Sequence, residues 1–123
     1  MMVSRRDAGM IGLHLTMDGV TEAPVDSDTV EGVLLELPGR IGMSILAGPF
    51  VVRGRPDNPG WTGFVVIDKS HISVHTFDEG NRVSVDVFSC QPFDAGEVRS
   101  YVERKLKLTR LNVRLVTRME APP

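Results

Sequence analysis

Only one cysteine, Cys90, occurs among 123 residues, so no disulfide can close within the chain and the fold must rest on an apolar core. Aromatic residues make up 6%, with a single Trp and a single Tyr. Basic residues do not exceed acidic ones: 14 Lys and Arg against 16 Asp and Glu give a net charge of −2. There is thus no basic field to attract nucleic acid or an anionic membrane, and neither is expected as a partner. No apolar run approaches the roughly 18 residues of a membrane span. Met1-Met2-Val3-Ser4-Arg5-Arg6-Asp7 carries two arginines, but Gly9, Gly12 and His14 interrupt the next stretch. A signal peptide is therefore not expected, and a lone thiol without an export signal fits the reducing cytoplasm. Repeats and low-complexity tracts are absent too. The remainder is 41% hydrophobic and 24% charged, ordinary values for a globular chain whose length suits one domain over residues 1–123.

Hydrophobic periodicity lays out the elements. From Met10 to Met17, Ile11, Leu13, Leu15 and Met17 alternate with Gly12, His14 and Thr16, which is strand period, and Asp18-Gly19 breaks it. Asp28 and Glu31 fit a capping box, and Val30, Val33, Leu34 and Leu37 recur at helical spacing until Pro38-Gly39. Ile41 to Val52 reads as a strand bent or bulged at its glycines, and Arg53 to Gly60 as a loop. Thr62–Asp68, His71–Phe77 and a segment around Val83, Val85 and Val87 read as strands, with a turn at Asp78-Glu79-Gly80-Asn81. Asp94 and Glu97 open a second helix that buries Val98, Tyr101, Val102 and Leu106; Leu111 to Val116 is a last strand, and Glu120 to Pro123 a frayed tail. The order β-α-β-β-β-β-α-β, with short turns between strands, predicts an α+β two-layer sandwich: a mainly antiparallel sheet with two helices on one face. The other face needs cover, from a ligand or from a second copy.

Chemistry concentrates in Asp68-Lys69-Ser70-His71-Ile72-Ser73-Val74-His75-Thr76-Phe77 and Asp86-Val87-Phe88-Ser89-Cys90. Three readings compete with that of an ordinary surface serine. A Ser70-His75-Asp86 hydrolase lacks the strained nucleophile elbow, and a serine and base on one strand make poor triad geometry. A zinc site would draw on His71 and His75, which share one strand face, with Cys90 and His14. Only one short-spaced ligand pair is present, so no metal is expected. The third reading is self-cleavage at Lys69-Ser70 to a covalent pyruvoyl group.

Here the sequence resembles the small prokaryotic S-adenosylmethionine decarboxylases. That family carries a Glu-Ser or Lys-Ser cleavage pair within a pattern close to Ser-His-Ile-Ser-(Ile or Val)-His-Thr-(Trp or Phe)-Pro-Glu, and then Asp-(Val or Leu)-Phe-(Ser or Thr)-Cys about twenty residues past the serine. The likeness runs over residues 10–118 and includes Gly12-Leu13-His14-Leu15 and Thr62-Gly63-Phe64-Val65-Val66-Ile67. The resemblance implies that Ser70 attacks the Lys69 carbonyl, and that the resulting ester eliminates to dehydroalanine and hydrolyses to a pyruvoyl cap. The chain would then consist of 1–69 and 70–123. His75 would be the processing base, assisted by Thr62, where the family usually has serine. The pyruvoyl carbonyl would form a Schiff base with the substrate amine, and Cys90 would be the proton donor after carbon dioxide leaves. Phe77 and Glu79 match the adenine-stacking and ribose-binding positions. Asp78 stands where the family has proline, and the second stacking aromatic is open between Phe50 and Trp61. The implied activity is the decarboxylation that supplies the aminopropyl donor for spermidine synthesis, by a homodimer with sites near its interface. Two other readings share the fold: an ornithine or arginine decarboxylase using Asp78 for the distal cation, and an uncleaved partner subunit.

Overall fold

The structure, a computed structural model, describes residues 11–118. Its elements come in the expected order: β1 (Gly12–Val20), α1 (Ser27–Arg40), β2 (Ile45–Arg53), β3 (Trp61–Ile67), β4 (Ser70–Phe77), β5 (Arg82–Ser89), α2 (Ala95–Leu106) and β6 (Thr109–Arg118). The strands form one six-stranded sheet in the order β2-β3-β4-β5-β1-β6, antiparallel at every step. Both helices lie on one face, as the pattern predicts. The strand residue Met10 and the tail Glu120–Pro123 fall outside the described residues.

Alternation decides the two faces. Leu13, Leu15 and Met17 of β1, Val83, Val85 and Val87 of β5, Ile72 and Val74 of β4, and Val65 and Ile67 of β3 are all at most 2% exposed. They meet Val30, Val33, Leu34 and Leu37 of α1 and Val98, Tyr101, Val102 and Leu106 of α2 in one core. Each such side chain contributes about 1.5–3 kcal/mol of burial, which outweighs the weak local propensities of short strands. Gly63 is what lets α1 sit this close. A Cβ there would stand 2.6 Å from Val30 Cγ1 and 2.7 Å from Leu34 Cδ1.

Several boundaries differ from the sequence expectation, each for a physical reason. The cap of α1 is Asp26, which accepts from the Thr29 amide at 2.8 Å, rather than the Asp28-Glu31 pair. Pro38 does not end α1, which runs to Arg40. It sits in the last turn with its ring buried, and its carbonyl accepts from the Ile41 and Met43 amides. The Asp94 cap of α2, accepting from Glu97, is as expected. Asp18-Gly19 does not break β1, because pairing with β5 continues through Asp18↔Ser84, Gly19↔Val83 and Val20↔Arg82. Gly42 lies in the turn before β2, at φ +73, so the strand starts at Ile45, and the anticipated bulges appear as two register shifts before Phe50.

Direct cross-strand partners share a face, so the open face reads as rows. One row holds Val116, His14, Phe88, His71 and Val66. The next holds Arg114, Thr16, Asp86, Ser73, Phe64 and Phe50, and the third Asn112, Asp18, Ser84, His75, Thr62 and Val52. Phe50, Val52, Phe64 and Val116 are 36–61% exposed on this face, which no helix covers.

Candidate active site

The β3–β4 hairpin turns on two residues, Asp68 and Lys69, with Ile67 paired to Ser70. Lys69 adopts the left-handed conformation, φ +49, which costs a side-chain-bearing residue about 1–2 kcal/mol. That strain sits on the residue whose carbonyl precedes Ser70. Ser70 begins β4 on the core side and is 6% exposed. Its Oγ accepts the Cys90 amide at 2.7 Å, and Cys90 Sγ donates to the Asp68 carbonyl at 3.3 Å. Two residues twenty positions apart are thus joined at one end of the sheet.

The segment around Cys90 is held from three sides. Gly12 admits it, because a Cβ on Gly12 would lie 2.0 Å from the Ser89 carbonyl oxygen. Ser89 Oγ donates to the Gln91 carbonyl at 2.7 Å, and the Gln91 amide side chain reaches the Ile41 carbonyl at 3.3 Å. The serine and thiol are therefore fixed by packing rather than left on a loose loop. An amide donating to Ser70 Oγ favours negative charge there and leaves the hydroxyl proton free to depart.

His75 is not part of this cluster. It lies on the open face, five positions along β4 from Ser70, about 16 Å at strand rise. Its Nδ1 stands 3.2 Å from Thr62 Oγ1, its cross-strand partner, so Thr62 and His75 do come together. Thr62 orients the ring and leaves Nε2 as the free nitrogen. Phe77 comes two positions later, half-buried, and Glu79 is exposed in the next turn. Phe77, Arg82, Ser84, Asp18, Arg110 and Asn112 contribute to an open pocket of about 510 Å³, within the range of ligand sites. The chemistry is split between two ends of one sheet: Ser70 and Cys90 at one, Thr62, His75, Phe77 and Glu79 at the other.

Asp78 is already occupied. Arg53 reaches its Oδ2 at 3.0 Å and lies over the Trp61 ring at 5.0 Å, tying the Arg53–Gly60 loop to the end of β4. Trp61 packs against the core, and Phe50, on the edge strand β2, pairs with Phe64, so neither faces Phe77 within a protomer. Asp86 belongs to the open face opposite Ser73, which separates it from Ser70 and removes the triad reading. Among the described residues, no three His, Cys, Asp or Glu side chains converge as a metal site.

Sequence reasoning missed a ladder of rings across the open face: His14 on Phe88 at 6.0 Å, Phe88 on His71 at 5.7 Å, and His71 stacked on Phe64 at 5.4 Å. Arg118 lies over Phe88 and within 3.3 Å of His14 Nδ1, and Asp86 is 3.9 Å from His14 Nε2. Burial beside these groups pushes His71 below the usual imidazole range, His14 and Arg118 adding to the shift and Asp86 opposing it. Each of these residues sits at an alternate strand position, but only the register brings them into contact.

A sequence model of the family described as S-adenosylmethionine decarboxylase matches residues 14–119. The chain belongs to that family. An S-adenosylmethionine decarboxylase proenzyme of Sulfurihydrogenibium sp. is 32% identical over 122 residues, spanning 91% of this chain and 85% of the relative. One from Hydrogenobaculum sp. is 30% identical, spanning 90% of this chain and 84% of that protein. The adenosylmethionine decarboxylase structure from Aquifex aeolicus agrees in fold, with a TM-score of 0.71 at 23% identity over 92% of this chain and 94% of that one. As a member of the S-adenosylmethionine decarboxylase family, the protein is a carboxy-lyase, and no described helix is long and apolar enough to cross a membrane.

Proposed function

We propose that this S-adenosylmethionine decarboxylase is a proenzyme that cuts itself between Lys69 and Ser70, and that its working unit is two copies joined by their open sheet faces. The observation that carries the reading is the hydrogen bond from the Cys90 amide to Ser70 Oγ. It places a buried, polarised hydroxyl beside the lone thiol and directly after a strained residue. The donor set fits a pyruvoyl group derived from Ser70. Bound there, such a group supplies the electron-withdrawing carbonyl that stabilises the carbanion left by departing carbon dioxide.

The side chains have separate tasks. Ser70 Oγ attacks the Lys69 carbonyl carbon, and the Lys69–Ser70 C–N bond breaks as an ester forms. His75, held at Nδ1 by Thr62, takes the Ser70 α-proton, which expels the Lys69 carboxylate and leaves dehydroalanine, and water then converts this to the keto cap with loss of ammonia. Cys90 delivers a proton to the product carbon. Its thiol donates to the Asp68 carbonyl in the uncut chain, and Asp68 lies upstream of the cleavage site, so the cut releases the thiol for this task. Phe77 and Glu79 receive the nucleoside.

The distance between Ser70 and His75 supports the two-copy reading. They stand about 16 Å apart along β4, so the histidine that serves Ser70 comes from a second chain. A two-fold axis running across the strands sets the Ser70 end of one sheet against the His75 end of the other, and two-fold dimers are the commonest assemblies. Exposed Phe50, Phe64 and Val116 on that face are then covered. The Arg53–Asp78 pair favours S-adenosylmethionine over a diamino acid, since the Asp78 carboxylate already holds a cation. Cytoplasmic spermidine synthesis is the setting this activity serves.

Intact mass under denaturing conditions tests the reading. Wild type gives fragments 1–69 and a keto-capped 70–123 that gains two hydrogens on borohydride reduction, and Ser70→Ala stays whole and inactive. Cleavage of the Ser70→Ala chain at 69/70 would sink the mechanism.

A further inference from the structure

The nucleoside pocket has one assigned wall, Phe77, and no second ring facing it in the protomer. What does face Phe77 is Arg82. The two are direct partners across the β4–β5 hairpin and share the open face. The Arg82 guanidinium carbon stands 5.5 Å over the Phe77 ring, and both residues line the pocket.

We propose that Arg82 is the second wall of the adenine slot, so that the base is held between a guanidinium plane and Phe77 instead of between two aromatic rings. The inference rests on the proposed decarboxylase function. Three features carry it. A planar, weakly hydrated guanidinium stacks on bases as readily as on aromatic rings. An inserted base needs about 3.5 Å on each side, about 7 Å between walls, so the guanidinium must move outward by roughly 1.5 Å. Nothing in its surroundings prevents that: Arg82 is exposed, and among the described residues it takes part in no ion pair. Finally, Gly80 at φ +78 lies in the turn of the β4–β5 hairpin, whose register sets Arg82 directly across from Phe77. Because the substrate's sulfonium is positive, it is the planar face and not the charge of Arg82 that favours binding.

That distinction sets the test. The dissociation constant of 5′-methylthioadenosine, the nucleoside portion without its amino acid, is measured by calorimetry, alongside KM and kcat for S-adenosylmethionine. Arg82→Ala should raise both Kd and KM roughly tenfold, the usual loss for one stacking partner, with kcat and self-cleavage unchanged. Arg82→Phe should restore both to within about threefold, and Arg82→Lys should behave like the alanine variant. An Arg82→Ala protein within about twofold of wild type overturns the proposal. So does a series in which lysine suffices and phenylalanine does not. If processed wild type fails to decarboxylate S-adenosylmethionine, the functional reading falls, while the nucleoside binding series still decides the stack. Absence of any 5′-methylthioadenosine binding by wild type removes the stack as well.

Discussion

Consider two inactive chains expressed together, one carrying Ser70→Ala and the other His75→Ala. Within a protomer the two side chains are five residues apart on β4 and on opposite faces, about 16 Å by strand rise. No rotamer of an imidazole spans that distance, and in the two-copy arrangement proposed above each serine is served by the partner's histidine. Random pairing of equal amounts gives about half mixed dimers. In a mixed dimer one site pairs the intact Ser70 of the His75→Ala chain with the intact His75 of the Ser70→Ala chain, and the other site has neither. About a quarter of all chains should therefore be cut, all of them His75→Ala chains, and decarboxylation should recover to about a quarter of wild type. Each variant expressed alone should remain whole. Chains tagged with different masses and resolved by mass spectrometry give the count directly. Efficient self-cleavage of His75→Ala alone would show that the imidazole is not the processing base. A mixture with no cut chain would show that the serine of one chain is not served by the histidine of another, and the dimer arrangement would be wrong.

The packing sets three further outcomes. Cys90→Ala keeps the backbone amide that donates to Ser70, so it should cleave normally yet decarboxylate at least tenfold more slowly, or misprotonate the product; turnover equal to wild type removes Cys90 from proton delivery. Gly63→Ala places a methyl against Val30 and Leu34, and should lower stability by about 1–3 kcal/mol; an unchanged urea midpoint would mean that α1 is not seated as described. His71 is held below its ordinary pKa by burial between β3 and β5, with His14, Asp86 and Arg118 facing it and Phe64 and Phe88 against its ring. The unfolded chain therefore binds the proton first as pH falls, so the stability His71 contributes is full above about pH 6.5 and is lost below it. His71→Gln should flatten the urea midpoint between pH 7.5 and 5.5, and parallel profiles for the two proteins would refute the assignment.

Element order and faces were legible because burial writes itself into alternation: Leu13, Leu15 and Met17 point one way and His14 and Thr16 the other, whatever the neighbours. Boundaries were less so. The cap at Asp26 and the continuation of α1 through Pro38 depend on which carbonyls and amides find partners, and several arrangements satisfy the same letters. Among the site residues, the spacing from Ser70 to Cys90 carried information that the register turned into a contact, through a hairpin whose turn and cross-strand partners bring the end of β5 beside the start of β4. The spacing from Ser70 to His75 carried the opposite information, hidden by nearness in sequence. An odd separation on a strand puts two side chains on different faces, and five residues of strand put them far apart. A strand that bears both groups cannot close a site on itself. The second copy proposed on geometric grounds for the chemistry would also cover the open sheet face, where Phe50, Phe64 and Val116 lie in the first two rows and His75 and Thr62 in the third.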